Sequence, residues 1–175
     1  MKILETDLKG AYLIETEPIF DDRGFFARSW CQREFLEQGL NPNLVQCNIS
    51  FNLKKGTLRG MHYQSQPHEE VKLVRCTRGS IYDVIVDIRP DSSTFKSCFA
   101  VELRSEKYNM LYIPEGFAHG FLTLEDNTEV FYQMSDFYYP ELAKGIRWDD
   151  PLFAIKWPKV SQPIISEKDL SYSFY

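Results

Sequence analysis

The stretch Gly56-Thr57-Leu58-Arg59-Gly60-Met61-His62-Tyr63-Gln64 places an arginine, a histidine, a tyrosine and a glutamine within six positions. An imidazole can take or give a proton near neutral pH, and a guanidinium fork suits phosphate or carboxylate oxygens. Strict alternation along a strand sends Arg59 and His62 to opposite faces. A bulge at Gly60 would reset the phase and bring them to one site. We favour the bulge, although alternation alone leaves both arrangements open. Taken singly, His62 is more often a hydrogen-bonded structural histidine than a catalyst. A second stretch, Ile113 to Phe121, contains Pro114-Glu115-Gly116, a turn that delivers His119 to the start of a strand. Two further segments mix charge into apolar alternation. Asp83 and Asp87 share a face with Ile85, and Lys72 shares one with Val74. Those faces meet either solvent or the lumen of a barrel. In a lumen the lysine needs an acidic partner, and Asp83 is a candidate for a structural ion pair with Lys72.

The pattern Pro-x-Gly-x-x-His ending at His119 resembles the second motif of cupin barrels, in which that histidine often binds metal. The first motif of metal-binding cupins offers His-x-His, whereas Tyr63 and Gln64 follow His62 here. The remaining histidine, His68, falls near a loop and is expected to be solvated. Three scattered histidines make a poor transition-metal site, so neither a metal nor another cofactor is expected.

The elements that must position these residues are short strands. Period-two runs rich in β-branched and aromatic residues cover Tyr12 to Thr16, Leu44 to Phe51, Thr57 to Tyr63, Val71 to Cys76 and Ile81 to Ile88. The same pattern covers Phe99 to Leu103, Met110 to Ile113, His119 to Leu124 and Glu129 to Met134. Turn signals such as Lys54-Lys55-Gly56 and Thr77-Arg78-Gly79 separate many of them. One helix is expected from about Cys31 to Gln38, capped by Ser29 and stopped by Gly39. A weaker helical turn is expected at Ser105 to Lys107. Many short strands with little helix predict an all-β sandwich or barrel. Without repeats or linkers, residues 1–175 are expected to form a single domain.

The bulk numbers narrow the partners. With 20 basic and 25 acidic residues the formal charge is −5, which disfavours a nucleic-acid partner. The aromatic share of 15% supports strands and offers faces for stacking a sugar or base. Met1 to Gly10 lacks the apolar core of a signal peptide, and no run is long enough to span a membrane. A cytoplasmic protein with four free thiols (Cys31, Cys47, Cys76, Cys98) is expected.

Joint order and spacing carry more information than any one motif. Asp22-Arg23-Gly24-Phe25-Phe26, Gln46-x-Asn48-x-Ser50, Leu58 to Gln64, Lys72-Leu73-Val74-Arg75 and Asp83 to Arg89 come first. Ile113 to Phe121, Trp148-Asp149-Asp150-Pro151 and Ser166-Glu167-Lys168-Asp169 follow. Together these segments resemble the dTDP-4-dehydrorhamnose 3,5-epimerase family over nearly the whole chain. The resemblance implies a cupin-type jelly-roll β-barrel with a few short peripheral helices. It implies a homodimer in which an amino-terminal strand joins the partner's sheet. The implied substrate is a nucleotide-linked 4-keto-6-deoxyhexose, used in deoxysugar or cell-surface polysaccharide biosynthesis.

Within that resemblance His62 matches the family's base, Asp169 its orienting carboxylate, Lys72 the cation facing the enolate oxygen and Tyr132 the acid. Arg23, Arg59 and Lys168 would contact the nucleotide or its phosphates, with Gln46 and Asn48 beside them and Phe26 as a stacking surface. His119 would sit close to the sugar and Lys72. The chain departs from the family where Arg28 stands in place of a glutamate, Ala143 near a usual acidic residue, and Phe137 in place of a tyrosine. Exchanging an acceptor-only carboxylate for a donor-only guanidinium alters which base edge can be bound. A CDP-linked sugar is therefore an alternative to a dTDP-linked one. The resemblance fixes neither C3-only inversion against C3 with C5, nor epimerisation against 3,4-ketoisomerisation. A non-catalytic sugar-binding cupin is the remaining alternative.

Overall fold

In the computed structural model, which describes residues 1–175, strands dominate as the alternation demands. In chain order they are β1 (Lys2–Glu5), β2 (Tyr12–Glu15), β3 (Ile19–Asp21), β4 (Gly24–Phe26), β5 (Gln46–Asn52), β6 (Leu58–Gln64) and β7 (Lys72–Arg78). Then come β8 (Ser80–Asp87), β9 (Cys98–Arg104), β10 (Met110–Ile113), β11 (Phe117–Thr123), β12 (Thr128–Met134) and β13 (Ala143–Gly145). The helices are α1 (Gln32–Glu37) and α2 (Glu167–Leu170), with a 3-10 turn at Ser105–Lys107. None is long and apolar enough to cross a membrane.

The strands form a jelly roll of two antiparallel sheets. One is ordered β1-β2-β10-β7-β12-β5, the other β13-β6-β11-β8-β9. Val74, Ile81, Ile85, Leu103, Leu111, Phe121 and Val130 supply the core between them, each burial stabilising by about 1.5–3 kcal/mol. A second cluster under α1 packs Phe35 and Leu40 on Ile14, Leu73, Met110 and Tyr112.

Strand β5 inverts the usual pattern. Gln46, Asn48, Ser50 and Asn52 are its more buried row, whereas Cys47, Ile49 and Phe51 are exposed. Strands β3 and β4 pair only with each other, as a separate two-stranded hairpin. Its Ile19, Phe20 and Phe26 are each more than 70% exposed.

The helix expected from Cys31 to Gln38 is present, but Cys31 rather than Ser29 occupies its N-cap, without a side-chain cap. Gly39 follows at φ +71°, in the left-handed region where glycine meets no steric penalty. The helical turn at Ser105–Lys107 lies where expected. All four cysteines are unpaired. Asp83 and Asp87 are completely buried, which decides between solvent and interior for their face of β8. Asp87 is enclosed by Arg89, Ser92 and Thr94. Burial alone would raise its pKa, but these hydrogen bonds outweigh it and lower the value to about 2.

Candidate active site

An open cavity of about 530 Å³ lies between the sheets. Lys72, Tyr132, Gln46 and Asn48 line it from one sheet, Arg59, His62 and His119 from the other, and Lys168 from α2. Arg59 and His62 meet there because β6 carries an extra residue. His62 pairs with His119 and Arg59 with Phe121, so three steps on β6 match two on β11. This is the bulge favoured from the sequence. Gly60 sits at φ +130°, and a Cβ there would come 2.9 Å from the His119 carbonyl oxygen and run into Gly120. A Cβ on Gly120 would meet Met61 and Arg59 in turn. Two facing glycines let the backbones approach closely enough to accommodate the irregularity.

His62 is the exposed half of a pair whose other half is buried. Its Nε2 lies 2.8 Å from Oδ1 of Asp169, with side chains 41% and 5% exposed. The Asp169 Oδ2 accepts a hydrogen bond from the Gly60 N–H at 3.1 Å. Ser166 caps α2 by accepting from the Asp169 N–H. Burial pushes the Asp169 pKa up, but the His62 contact and the Gly60 and Ser166 hydrogen bonds outweigh it, leaving the carboxyl below its ordinary value. An ionised carboxylate only accepts. His62 Nε2 is therefore the donor in this hydrogen bond, which in the neutral ring leaves the lone pair on Nδ1.

Two more acid–base pairs line the interior. Lys72 Nζ lies 2.9 Å from Glu70 Oε1, and His119 Nε2 lies 2.7 Å from Asp83 Oδ1. The ion pair considered between Lys72 and Asp83 is thus not formed. Glu70, two residues before Lys72 and lining the same cavity, takes the lysine, and His119 takes the aspartate. The second oxygens of Glu70 and Asp83 are buried without a partner.

Tyr132 sits on β12 between Asn48 and Val74. Burial raises its pKa, Glu70 adds to this and Arg59 opposes it, so the phenol keeps its proton. Gln46 donates to Asn48, and its Oε1 accepts from the Tyr138 N–H at 3.1 Å. Arg59 donates through Nε to Asn52 Oδ1 at 2.8 Å.

Asp169 is buried as the partner of His62 and not on the cavity wall, and three further expected site residues lie away from the cavity. Arg23 and Phe26 belong to the protruding β3–β4 hairpin. Arg23, 89% exposed, pairs with Asp21. Arg28 pairs with Glu34 of α1 on the surface. His68 lies in a loop, as expected, and stays partly exposed, but it is not simply solvated. It bonds Asp136 at 2.9 Å and stacks on Tyr139 at 3.9 Å. No three His, Cys, Asp or Glu side chains converge as metal ligands would.

Sequence inspection missed Glu70, Lys144 and Tyr172 among the lining residues. Glu70 is two residues from Lys72, a visible signal. Tyr172 lies in an irregular tail and had none. Gln64, already noted in its motif, donates to the Phe137 carbonyl at 2.9 Å and accepts from the Tyr139 N–H at 2.7 Å. It ties the segment after β12 to β6.

Comparison with known proteins gives one answer. The family model for dTDP-4-dehydrorhamnose 3,5-epimerase matches residues 5–175. The chain is 43% identical to the dTDP-4-dehydrorhamnose 3,5-epimerase of Methanothermobacter thermautotrophicus, over 98% of this chain and 92% of that protein. It is similar to the crystal structure of the Bacillus anthracis dTDP-4-dehydrorhamnose 3,5-epimerase with TDP and PPi bound (TM-score 0.95, 40% identity, 99% of each chain). It also resembles a 3'-monoepimerase from Streptomyces bikiniensis in complex with dTDP-quinovose (TM-score 0.90, 28% identity, 98% of this chain and 86% of that one). On its sequence, its cupin jelly-roll fold and the cavity between its sheets, the chain belongs to the dTDP-4-dehydrorhamnose 3,5-epimerase family.

Proposed function

We propose that this chain epimerises a dTDP-linked 4-keto-6-deoxyhexose at C3 and C5, in deoxysugar biosynthesis in the cytoplasm. The observation that carries the mechanism is the placement of an oriented base and a protonated phenol on opposing sheets across one cavity. His62 Nδ1 removes the proton from the carbon beside the ketone. The C–H electron pair becomes the enolate double bond, and the carbonyl electrons move onto oxygen. The Lys72 ammonium stabilises that oxyanion, an interaction of a kind whose loss costs about 2.7–4 kcal/mol of barrier. Tyr132 then returns a proton from the opposite face, which inverts the centre. His62 ends protonated and Tyr132 ionised, and exchange with solvent resets both. Asp169 supports the imidazolium as it forms.

Arg59 and Lys168 hold the pyrophosphate, Gln46 and Asn48 add polar contacts, and His119 packs against the sugar. The hairpin residues act in a homodimer. Ile19 and Phe20 on the hairpin and Ile49 and Phe51 on β5 are exposed apolar side chains that a second copy covers, and Arg23 and Phe26 reach the partner's nucleotide. Arg28 stays paired with Glu34 outside the cavity, and the similar structures hold TDP or a dTDP-linked sugar, so dTDP is the expected carrier.

The test uses dTDP- and CDP-linked 4-keto-6-deoxyglucose in heavy water, read by mass spectrometry and NMR. Two deuterons with inverted C3 and C5 on the dTDP sugar are expected. One deuteron reduces the proposal to C3 alone, preference for CDP overturns the carrier, and no exchange with either overturns the activity.

A further inference from the structure

His62 has only one hydrogen bond to hold it, and one bond does not fix an imidazole. The bond anchors Nε2, yet the terminal torsion of a histidine side chain is broad, and the ring is 41% exposed toward the cavity. A base that must meet a carbon-bound proton needs its lone pair aimed, because small misplacements at a reacting centre are costly. Something else must limit the swing of the ring.

Tyr172 is the group in position to do so. Its ring stands edge-on to His62, with centroids 5.9 Å apart and planes at 73°, and it lines the same cavity. It gets there because of Gly145. In β13, Gly145 is the register partner of His62, and a Cβ at 145 would overlap the Tyr172 ring. The absence of a side chain at 145 opens the slot beside His62. Gly145 has no left-handed φ to explain it, so space is what the residue supplies. The tail just beyond Tyr172 is tied down twice. The Arg147 N–H donates to the Ser173 carbonyl at 3.1 Å, and the Tyr175 N–H donates to Asp150 Oδ2 at 2.7 Å.

We propose that Tyr172, seated in the slot left by Gly145, is a positioning residue that holds the His62 imidazole in its reactive orientation. This rests on His62 being the base of the proposed epimerase. Asp169 fixes one atom of the ring and Tyr172 limits its rotation.

The experiment is a double-mutant cycle of Gly145→Ala and Tyr172→Ala, with Tyr172→Phe as the conservative control. Gly145→Ala displaces the ring without touching the cavity chemistry. We expect it and Tyr172→Ala each to lower kcat on the order of ten- to a hundredfold, with KM within about twofold. The double variant should match Tyr172→Ala alone, since a displaced ring and a missing one are equivalent. Tyr172→Phe should retain most of the turnover. Additive losses, or a Phe variant as poor as the Ala one, would overturn the proposal. So would wild-type kcat in Gly145→Ala.

Thermal melting of each variant separates this from misfolding. The His62 ring resonances, recorded by NMR without substrate, give a second readout. They should move in Gly145→Ala and Tyr172→Ala and stay near their wild-type positions in Tyr172→Phe. Unmoved resonances in Gly145→Ala sink the inference even if the protein has no epimerase activity, whereas moved resonances with an inactive wild type sink only the epimerase reading.

Discussion

The cavity interior and the β3–β4 hairpin carry similar residue types, cations and aromatics, in opposite settings. In the interior His62, Lys72 and His119 each have an acidic partner from the same chain: Asp169, Glu70 and Asp83. These groups are preorganised before any ligand arrives, which is what electrostatic stabilisation of a developing charge requires. On the hairpin, Arg23 has only its neighbour Asp21, and Phe26 faces solvent. An exposed ion pair of that kind contributes little. On the proposed function, the contrast separates residues that act on bonds from residues that wait for a second molecule.

The sharpest way to break it is at His62. His62→Asn should lower kcat by about 10²–10⁴ while dTDP still binds with wild-type affinity by calorimetry. Loss of both together would make the residue a general binding determinant. Next is Lys72→Met, expected to cost about 10²–10³ in kcat. It also leaves Glu70 buried without its cation, a loss of about 3–5 kcal/mol of stability. The double variant Lys72→Met with Glu70→Gln should recover much of the melting temperature and none of the turnover. Recovery of turnover would remove Lys72 from the chemistry.

The hairpin should answer differently. Arg23→Ala with Phe26→Ala should raise KM about tenfold, the scale of a lost charged or stacked contact, with kcat nearly unchanged. Mixed dimers of this variant with His62→Asn should recover activity, because one of their two cavities then has both an intact base and an intact hairpin. No recovery on mixing would place the hairpin's action within its own chain. The smallest effect concerns acid stability. The folded pKa of Asp87 is depressed from 3.8 to about 2. Its contribution is therefore complete above pH 3.8 and lost as the pH falls toward 2. Asp87→Asn should flatten that part of a pH–melting curve.

Much of the sheet framework was legible because half-buried strands alternate. Nine expected strands correspond to β2 and β5 through β12, with ends displaced by a few residues. The strands not foreseen are β1, β3, β4 and β13. Each has four residues or fewer and no fully buried residue, so little periodicity could develop. The interior groups of the site were legible through motif order. Their partners were not, because the choice of Glu70 over Asp83 for Lys72 depends on which strands become neighbours. The hairpin residues were legible as a motif but not as a place. A single chain leaves them on its surface.

The facing pair Gly60 and Gly120 has a consequence for how this strand tolerates change. The extra residue in β6 makes the hydrogen-bond ladder irregular, and a chain shortened by one residue there would pair more regularly. That shorter strand would also turn either Arg59 or His62 out of the cavity. Deleting Gly60 should thus give a folded barrel by circular dichroism that exchanges no deuterium into a keto sugar. Sheet regularity and catalytic geometry pull against each other at this one position, and the protein keeps the flaw.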